Sequence, residues 1–264
     1  MNIEKTKPHA VFLDIDGTLM PHGDVSDLSL GHICEKNIRA IQKAKSAGHK
    51  IIINTGRGFS CMPKACFSEI EVDGVICALG SYIELSGKTV FNKPLEKELL
   101  GELIDYISAE KKPCRFQGTH ERFVHDPNRT FSDFWTPFKT KEEFFEKLGY
   151  GFISKITIDY DMEGEYFEFL KARFNTVKYT TSGEATSIGC TKAGGMNFVL
   201  EALGIPKERG IAMGDSENDR EMLTAAGIPV AMGNAPDTIK ALCAHVTLTE
   251  AEGGVGEAIE KLLF

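Results

Sequence analysis

The sequence predicts an α/β protein, an open doubly wound parallel sheet interrupted by a second α/β section. Three observations carry this. Short apolar runs end in acidic or phosphate-friendly clusters near both ends of the chain, Ala10-Val-Phe-Leu-Asp14 and Gly210-Ile-Ala-Met-Gly214 among them. Runs of this kind suit strands buried on both faces. Helical periodicity alternates with them, as parallel crossovers require. Between about 82 and 184 the alternation gives way to mixed spacing rich in aromatics.

The elements follow in chain order. Residues 10–14 form the first strand. Residues 33–47 read as an amphipathic helix, with Ile38, Ile41, Ala44 and Ala47 on one face, Lys36, Arg39 and Lys43 on the other, and Gly48 as its C-terminal cap. Residues 50–54 and 74–78 form the second and third strands. Residues 82–92 read as a hairpin turning at Ser86-Gly87, and 95–111 as a charged amphipathic helix. The stretch 115–147 collects Phe116, Phe123, Phe131, Phe134, Trp135, Phe138, Phe144 and Phe145, expected to supply a packed core and a partly apolar roof. Glu142, Glu143 and Glu146 read as a solvated helix face, and His120 and His125 as packing residues. A strand at 155–159, a helix at 163–172 and a strand at 176–181 complete this section. The first pattern then returns. Thr191 caps a helix through Leu203, 210–214 is a strand, Ser216 opens a helix ending near Gly227, and 229–232 and 245–248 are short strands. The expected organisation is a Rossmann-like core from 1–81 and 185–264, with an inserted α/β cap over 82–184.

The 264 residues are 42% apolar and 26% charged, ample for a buried core, with a net charge of −8. An acidic balance argues against broad binding to nucleic acid or anionic membranes, though not against a local basic pocket for phosphate. No apolar run reaches the length of a membrane span, and the N-terminus Met1-Asn2-Ile3-Glu4-Lys5 has no hydrophobic signal region, so a cytoplasmic protein is expected. The seven cysteines are odd in number and lack CxxC spacing, which points to reduced thiols packed as small core residues.

Three clusters fall at the C-terminal ends of the expected parallel strands, the edge at which open α/β sheets bind ligands. They are Asp14-Ile15-Asp16-Gly17-Thr18, Asn54-Thr55-Gly56-Arg57 and Gly214-Asp215-Ser216-Glu217-Asn218-Asp219, with Lys192 standing before the last. Each alone has a bland reading as a turn or helix cap. In this order the chain resembles the haloacid-dehalogenase superfamily, and within it the Cof-type phosphatases, which carry an α/β cap between their second and third motifs. Asp14 to Leu19 match the Asp-x-Asp-Gly-Thr-Leu signature, Thr55 to Arg57 the Thr-Gly-Arg signature, and Gly214 to Asp219 the Gly-Asp-x-x-Asn-Asp signature. Ala231 to Ala235 and Gly254-Val255 match the family's C-terminal pattern. Two departures stand out. Lys192-Ala193-Gly194-Gly195 replaces the usual Lys-Gly, and Leu79-Gly80 stands where the family often has Asn-Gly.

The resemblance implies a Mg²⁺-dependent phosphatase with Asp14 as nucleophile and Asp16 as general acid and base. Elementary physics agrees. A carboxylate can form an acyl phosphate, but an anionic Asp14 facing a phosphate dianion is repelled by about 4 kcal/mol per charge pair at 4 Å and an effective dielectric of 20. A divalent cation relieves this. Mg²⁺ takes oxygen ligands, which the resemblance assigns to Asp14, Asp215 and the backbone carbonyl of Asp16. Asn218 and Asp219 would stand behind the metal or occasionally touch it, with Asn218 also reaching substrate, or Asp219 would serve a helix start. Two residues after the nucleophile, an acid can reach the leaving oxygen, and cation pumps and dehalogenases of the superfamily lack it. Asp16 therefore favours a phosphatase or phosphomutase. Thr55 and Gly56 would meet phosphoryl oxygens, Lys192 would meet phosphate and Asp14, and Arg57 would contact substrate or brace the cap. The expected substrate is a small phosphorylated metabolite such as a sugar phosphate, handled by a monomer or weak homodimer. The rivals are a phosphomutase on the same fold and a regulatory binding protein that retains the site.

Overall fold

A computed structural model of the chain describes residues 5–23, 32–126, 133–158, 163–179 and 182–264. Phe131, Asp159 and the end of the strand expected at 176–181 lie outside them. In chain order the elements are β1 (Ala10–Leu13), α1 (Glu35–Ser46), β2 (Lys50–Asn54), α2 (Ala65–Ser68), β3 (Gly74–Cys77), β4 (Tyr82–Leu85) and β5 (Lys88–Asn92). Then come α3 (Lys97–Ala109), β6 (Cys114–Gly118), β7 (Arg122–His125), β8 (Thr136–Pro137), α4 (Lys141–Leu148), β9 (Ile153–Ile158), α5 (Gly164–Lys171), β10 (Asn175–Lys178) and β11 (Gly183–Thr186). The chain closes with α6 (Lys192–Ala202), β12 (Gly210–Gly214), α7 (Arg220–Ala225), β13 (Ile228–Ala231), α8 (Asp237–Lys240), β14 (His245–Val246) and α9 (Gly254–Leu263).

One sheet runs β14-β13-β12-β1-β2-β3-β4-β5. It is parallel from β14 to β3, and the hairpin β4–β5 adds antiparallel to its edge. Side chains alternate along each strand, so both faces need a partner. Val11, Leu13, Ile51, Ile53, Ile211 and Met213 face one way, against Ile41 of α1 and Ile259 of α9. Ala10, Phe12, Ile52 and Ala212 face the other, against Met196 and Val199 of α6 and Leu223 of α7. This is the doubly wound arrangement that the apolar runs predict. At the hairpin turn Ser86 and Gly87 have φ of 50° and 73°, the left-handed pair that matches the twist of a two-residue turn.

A second, smaller sheet runs β10-β11-β9-β6-β7-β8. The expected aromatics fill its core: Phe116, Phe123, Phe138 and Phe144 pack with Leu103, Ile104, Ile156 and Leu170. Glu142 and Glu146 are exposed on α4, as read from the sequence. His120 is exposed, and the His125 ring packs 5.4 Å from that of Phe138.

The change of sheet does not fall at residue 82. β4 and β5 stay with the large sheet because β3 offers them a free edge. The chain crosses at Lys93–Leu95, where the Lys93 N–H bonds the Ser81 carbonyl and the Leu95 N–H bonds the Ile153 carbonyl. It returns beside the same point. The Ser187 hydroxyl donates to the Lys93 and Pro94 carbonyls (3.1 and 2.9 Å), and Lys93 Nζ donates to the Ile188 carbonyl (2.9 Å). No described helix is long and apolar enough to cross a membrane.

Candidate active site

Asp14 follows β1 directly, and its N–H still bonds Met213 of β12, so its carboxyl emerges at the C-terminal edge of the sheet. Lys192 Nζ lies 2.8 Å from Asp14 Oδ1 and 2.7 Å from Asp219 Oδ1, with the lysine side chain 0% and the Asp14 side chain 4% exposed. Its third proton goes to Asn218 Oδ1 at 3.0 Å. Burial alone pushes the ammonium toward the neutral form, but Asp14 and Asp219 outweigh it and raise the lysine above its ordinary range. Burial also raises the Asp14 carboxyl well above its usual value; Lys192 pulls it back, and Asp219, Asp16 and Asp215 push it further up.

Sequence explains how a lysine reaches so deep. Thr191 caps α6, its hydroxyl accepting from the Gly194 N–H at 3.0 Å. A Cβ on Gly195 would meet Ile76 Cγ2 at 2.6 Å, so this glycine lets α6 press onto β3. In Lys192-Ala193-Gly194-Gly195 the glycine that makes this close contact stands three residues after the lysine. Asn54, which opens the second cluster, donates from Nδ2 to the Lys192 carbonyl at 2.9 Å and ties β2 to the same helix.

Asp16 lies across the site. Arg57 forks onto it, Nε to Oδ2 at 2.8 Å and Nη2 to Oδ1 at 2.5 Å, a bidentate pair that fixes both side chains. Arg57 is 8% exposed and also donates to the Cys61 carbonyl. Thr55 is buried, and its hydroxyl accepts from the Arg57 N–H. The turn beneath this loop is unusual. Ala78 and Leu79 both have positive φ, 50° and 53°, and their N–H groups hold the carbonyls of Arg57 and Thr55. A left-handed non-glycine residue costs roughly 1–2 kcal/mol, and asparagine tolerates it better. That accounts for the family's usual Asn-Gly, and here burial of Leu79 accompanies the strained residue.

Asp215 and Asp219 follow β12. Asp215 accepts from the Thr18 hydroxyl (3.2 Å) and lies 3.1 Å from His22 Nε2. Burial raises its carboxyl above the ordinary value, while His22 and Lys192 pull down and Asp219 pushes up. Asp219 is fully buried and its second oxygen accepts from the backbone N–H groups of Asp215 and Ser216. Oxygens of Asp14, Asp215 and Asp219 lie within 4.8 Å of one another. With Asp16, four carboxylates gather around Lys192 and Arg57, with His22 beside Asp215, and their donor atoms are all hard oxygens, a set that fits Mg²⁺. Asp219 is held by the buried Lys192 and two backbone N–H groups, whereas Asp215 is held by the Thr18 hydroxyl and the largely exposed His22, so Asp14 and Asp215 are the better-placed side chains.

Gly17 turns the chain directly after Asp16, with φ +77°, and a Cβ there would sit 2.3 Å from Asp215 Oδ2. Gly17→Ala is therefore expected to destabilise the fold by at least the ~1–2 kcal/mol of a left-handed alanine and to displace Asp215. A lower urea midpoint together with weaker Mg²⁺ binding by calorimetry checks this; an unchanged midpoint would contradict it.

The smaller sheet covers the site. Strand alternation sends Cys114, Phe116, Ile156, Ile158 and Ala185 into its core. Arg115, Gln117, Lys155, Thr157 and Glu184 point instead into a cavity of about 430 Å³ whose opposite wall is Asp14, Asp16, Thr55, Gly56 and Arg57. Register makes them neighbours: Thr157 stands opposite both Arg115 and Glu184, and Lys155 opposite Gln117. Lys155 and Glu184 form a nearly buried ion pair, 5% and 12% exposed. The packed core is as expected, but in place of the expected partly apolar roof the strands of the smaller sheet present polar and charged side chains, because the aromatics are used up in the core behind them. None of Arg115, Gln117, Lys155, Thr157, Tyr179, Glu184 or His22 was singled out by the sequence reading. The signal was present in Ile153-Ser-Lys-Ile-Thr-Ile158, a strand whose charged residue alternates with isoleucines.

The chain matches the profile of the haloacid dehalogenase-like hydrolases over residues 11–259. It belongs to that family. Among curated haloacid dehalogenase-like relatives, 5-amino-6-(5-phospho-D-ribitylamino)uracil phosphatase YcsE of Bacillus subtilis is 31% identical over 262 residues, covering 94% of this chain and 93% of its own. Phosphoglycolate phosphatase of Methanobrevibacter smithii is 28% identical over 268 residues, covering 100% of both. Among solved structures, a HAD subclass IIB sugar phosphatase superposes with a TM-score of 0.78 at 26% identity, covering 96% of this chain and 98% of that one. The resemblance read from the motifs therefore holds, and so does the doubly wound fold. The chain is a hydrolase of this family.

Proposed function

We propose that the protein is a Mg²⁺-dependent phosphatase acting on a small polyhydroxylated phosphate ester through an aspartyl-phosphate on Asp14. One observation carries this reading: a buried carboxylate, ion-paired to a buried lysine, stands at the floor of a closed-over cavity with a second carboxylate two residues away. Mg²⁺ would be held by Asp14, Asp215 and the Asp16 carbonyl, and when bound it supplies the positive charge that lets a carboxylate and a phosphate approach.

The chain's own groups do the rest. An Asp14 oxygen attacks phosphorus as the ester P–O bond breaks, and Asp16 gives a proton to the departing oxygen. Asp16, now a carboxylate, takes a proton from water as that water's oxygen attacks the aspartyl-phosphate, releasing orthophosphate and restoring Asp14. Lys192 holds Asp14 in line and balances charge on the transferring oxygens, with the Thr55 hydroxyl and Gly56 N–H beside them. Arg57 holds Asp16 in orientation, so its role is to brace this acid. The segment between the two crossings acts as the cap. Its carboxylate, amide, hydroxyl and ammonium groups offer both donors and acceptors, which suits a pentose, hexose or polyol leaving group.

Phosphate release from pentose and hexose phosphates, assayed with Mg²⁺ and after exhaustive chelation, tests the reading. Turnover should disappear with chelator and return with added Mg²⁺; turnover that survives chelation refutes the metal requirement. A phosphomutase would instead need a bisphosphate activator and release little free phosphate.

A further inference from the structure

We propose that Tyr179 is a positioning residue that transmits the placement of the smaller sheet to the Lys192–Asp14 pair through Asn218. The proposal rests on Asp14 as the reacting carboxylate. A continuous set of hydrogen bonds supports it. Asn218 Oδ1 accepts from Lys192 Nζ and from the Ser216 hydroxyl, both at 3.0 Å. Asn218 Nδ2 donates to the Tyr179 hydroxyl at 3.0 Å, and that hydroxyl donates its single proton to Glu184 Oε2 at 3.1 Å. Lys155 pairs with the other Glu184 oxygen.

Counting protons fixes every orientation in this set. Lys192 has three N–H groups and three acceptors: Asp14, Asp219 and Asn218. Asn218 satisfies its share only with the carbonyl oxygen toward the lysine. Turned over, its amide would present N–H groups to an ammonium, and Tyr179 would have to withdraw its proton from Glu184. The Glu184–Tyr179 bond thus selects the amide orientation that completes the shell of Lys192. Burial, with Glu184 adding to it, raises the phenol well above its ordinary range, so it stays a neutral donor. Tyr179 lies beyond β10, in the smaller sheet's segment, whereas Asn218 follows β12 of the large one. Contacts at Gly58 and Ser60 also join the two, through Gln117, Glu121 and Arg122, but those fasten the loop after β2. The Tyr179 bond leads to the lysine. A shift of the smaller sheet would free Asn218 and loosen the ammonium that aligns Asp14.

Tyr179→Phe removes the hydroxyl and keeps the ring. Its kcat on a pentose phosphate is expected to fall about 3- to 10-fold, the effect of one hydrogen bond, with KM and substrate ranking unchanged. In an Asn218→Ala background the same change should have no further effect, because the path is already cut. A raised KM with kcat retained, or losses that multiply in the double variant, would overturn the proposal in favour of direct substrate binding. A second readout needs no turnover: the side-chain ¹⁵Nζ resonance of Lys192 should move in Tyr179→Phe, but not when the change is made on Asn218→Ala. A resonance that stays put in Tyr179→Phe overturns the coupling whatever the activity. If it moves while the wild-type protein releases phosphate from no ester, the coupling stands and the phosphatase reading fails.

Discussion

Asp14→Asn is expected to lower turnover by on the order of 10⁴- to 10⁶-fold, as removal of a covalent nucleophile does elsewhere. The amide has the shape of the carboxylate but cannot form the acyl phosphate. Lys192 keeps Asp219 and Asn218 as partners, so the fold should survive. Trapping labelled protein after brief mixing with a ³²P-ester separates the cases, since the wild type should carry label and the variant none. Full activity in the variant would end the assignment. The same substitution has a second expected effect, on stability. Burial first, and the neighbouring acids after it, raise the Asp14 carboxyl in the folded chain. An acid raised on folding holds its proton more tightly folded than unfolded. The metal-free protein therefore loses stability as pH rises from the ordinary carboxyl value through the raised one, and the loss persists above it. Asp14→Asn should flatten that part of the pH profile in urea titrations done with chelator. A profile as steep as the wild type's would show that other acids carry it.

Asp16→Asn is expected to slow hydrolysis of alkyl phosphates by about 10²- to 10⁴-fold, the usual size of a general acid–base effect. An aryl ester whose leaving group needs no proton should lose less in its first step, yet the aspartyl-phosphate should persist, because the water attacking it lacks a base. A burst of nitrophenolate followed by slow turnover is the signature. Equal losses for alkyl and aryl esters, with no burst, would remove the acid role from Asp16. Arg57 needs its own control, since Asp16→Asn also releases the guanidinium from its fork. Arg57→Gln should show a smaller loss without the leaving-group dependence, because it leaves the carboxyl in place.

The parallel core was legible because its physics is local. Strands such as Phe12 to Asp14 and Ile51 to Asn54 are apolar throughout and stop at a functional residue, so element, face and sheet edge could be read together. The clusters at 14–18, 54–57 and 214–219 do converge on one edge, and Lys192 meets Asp14. What the sequence left hidden depends on register. β6, β9 and β11 alternate charged and apolar residues, and which face holds the cavity is decided by the helices packed behind. Lys155 and Glu184 therefore read as surface charges until the sheet is assembled. Tyr179 and Asn218 meet only after two crossings of the chain. The hairpin over 82–92 was recognised as a hairpin, yet its sheet was not, because an antiparallel pair carries no mark of the parallel edge it joins.

β1 pairs with β2 on one side and β12 on the other, Ala10 standing opposite both Lys50 and Gly210. During synthesis these neighbours do not arrive together. At about 5–20 residues per second, the ribosome delivers Gly210 roughly 10–40 s after Ala10. Through that interval one edge of β1 is open, and Asp14 lacks Lys192, Asp215 and Asp219 alike. The intervening segment, by contrast, has its own core and can pack from neighbours already made. The nascent chain is thus inert toward phosphate esters until its last fifth emerges, and the exposed edge of its first strand is where a chaperone has most to protect.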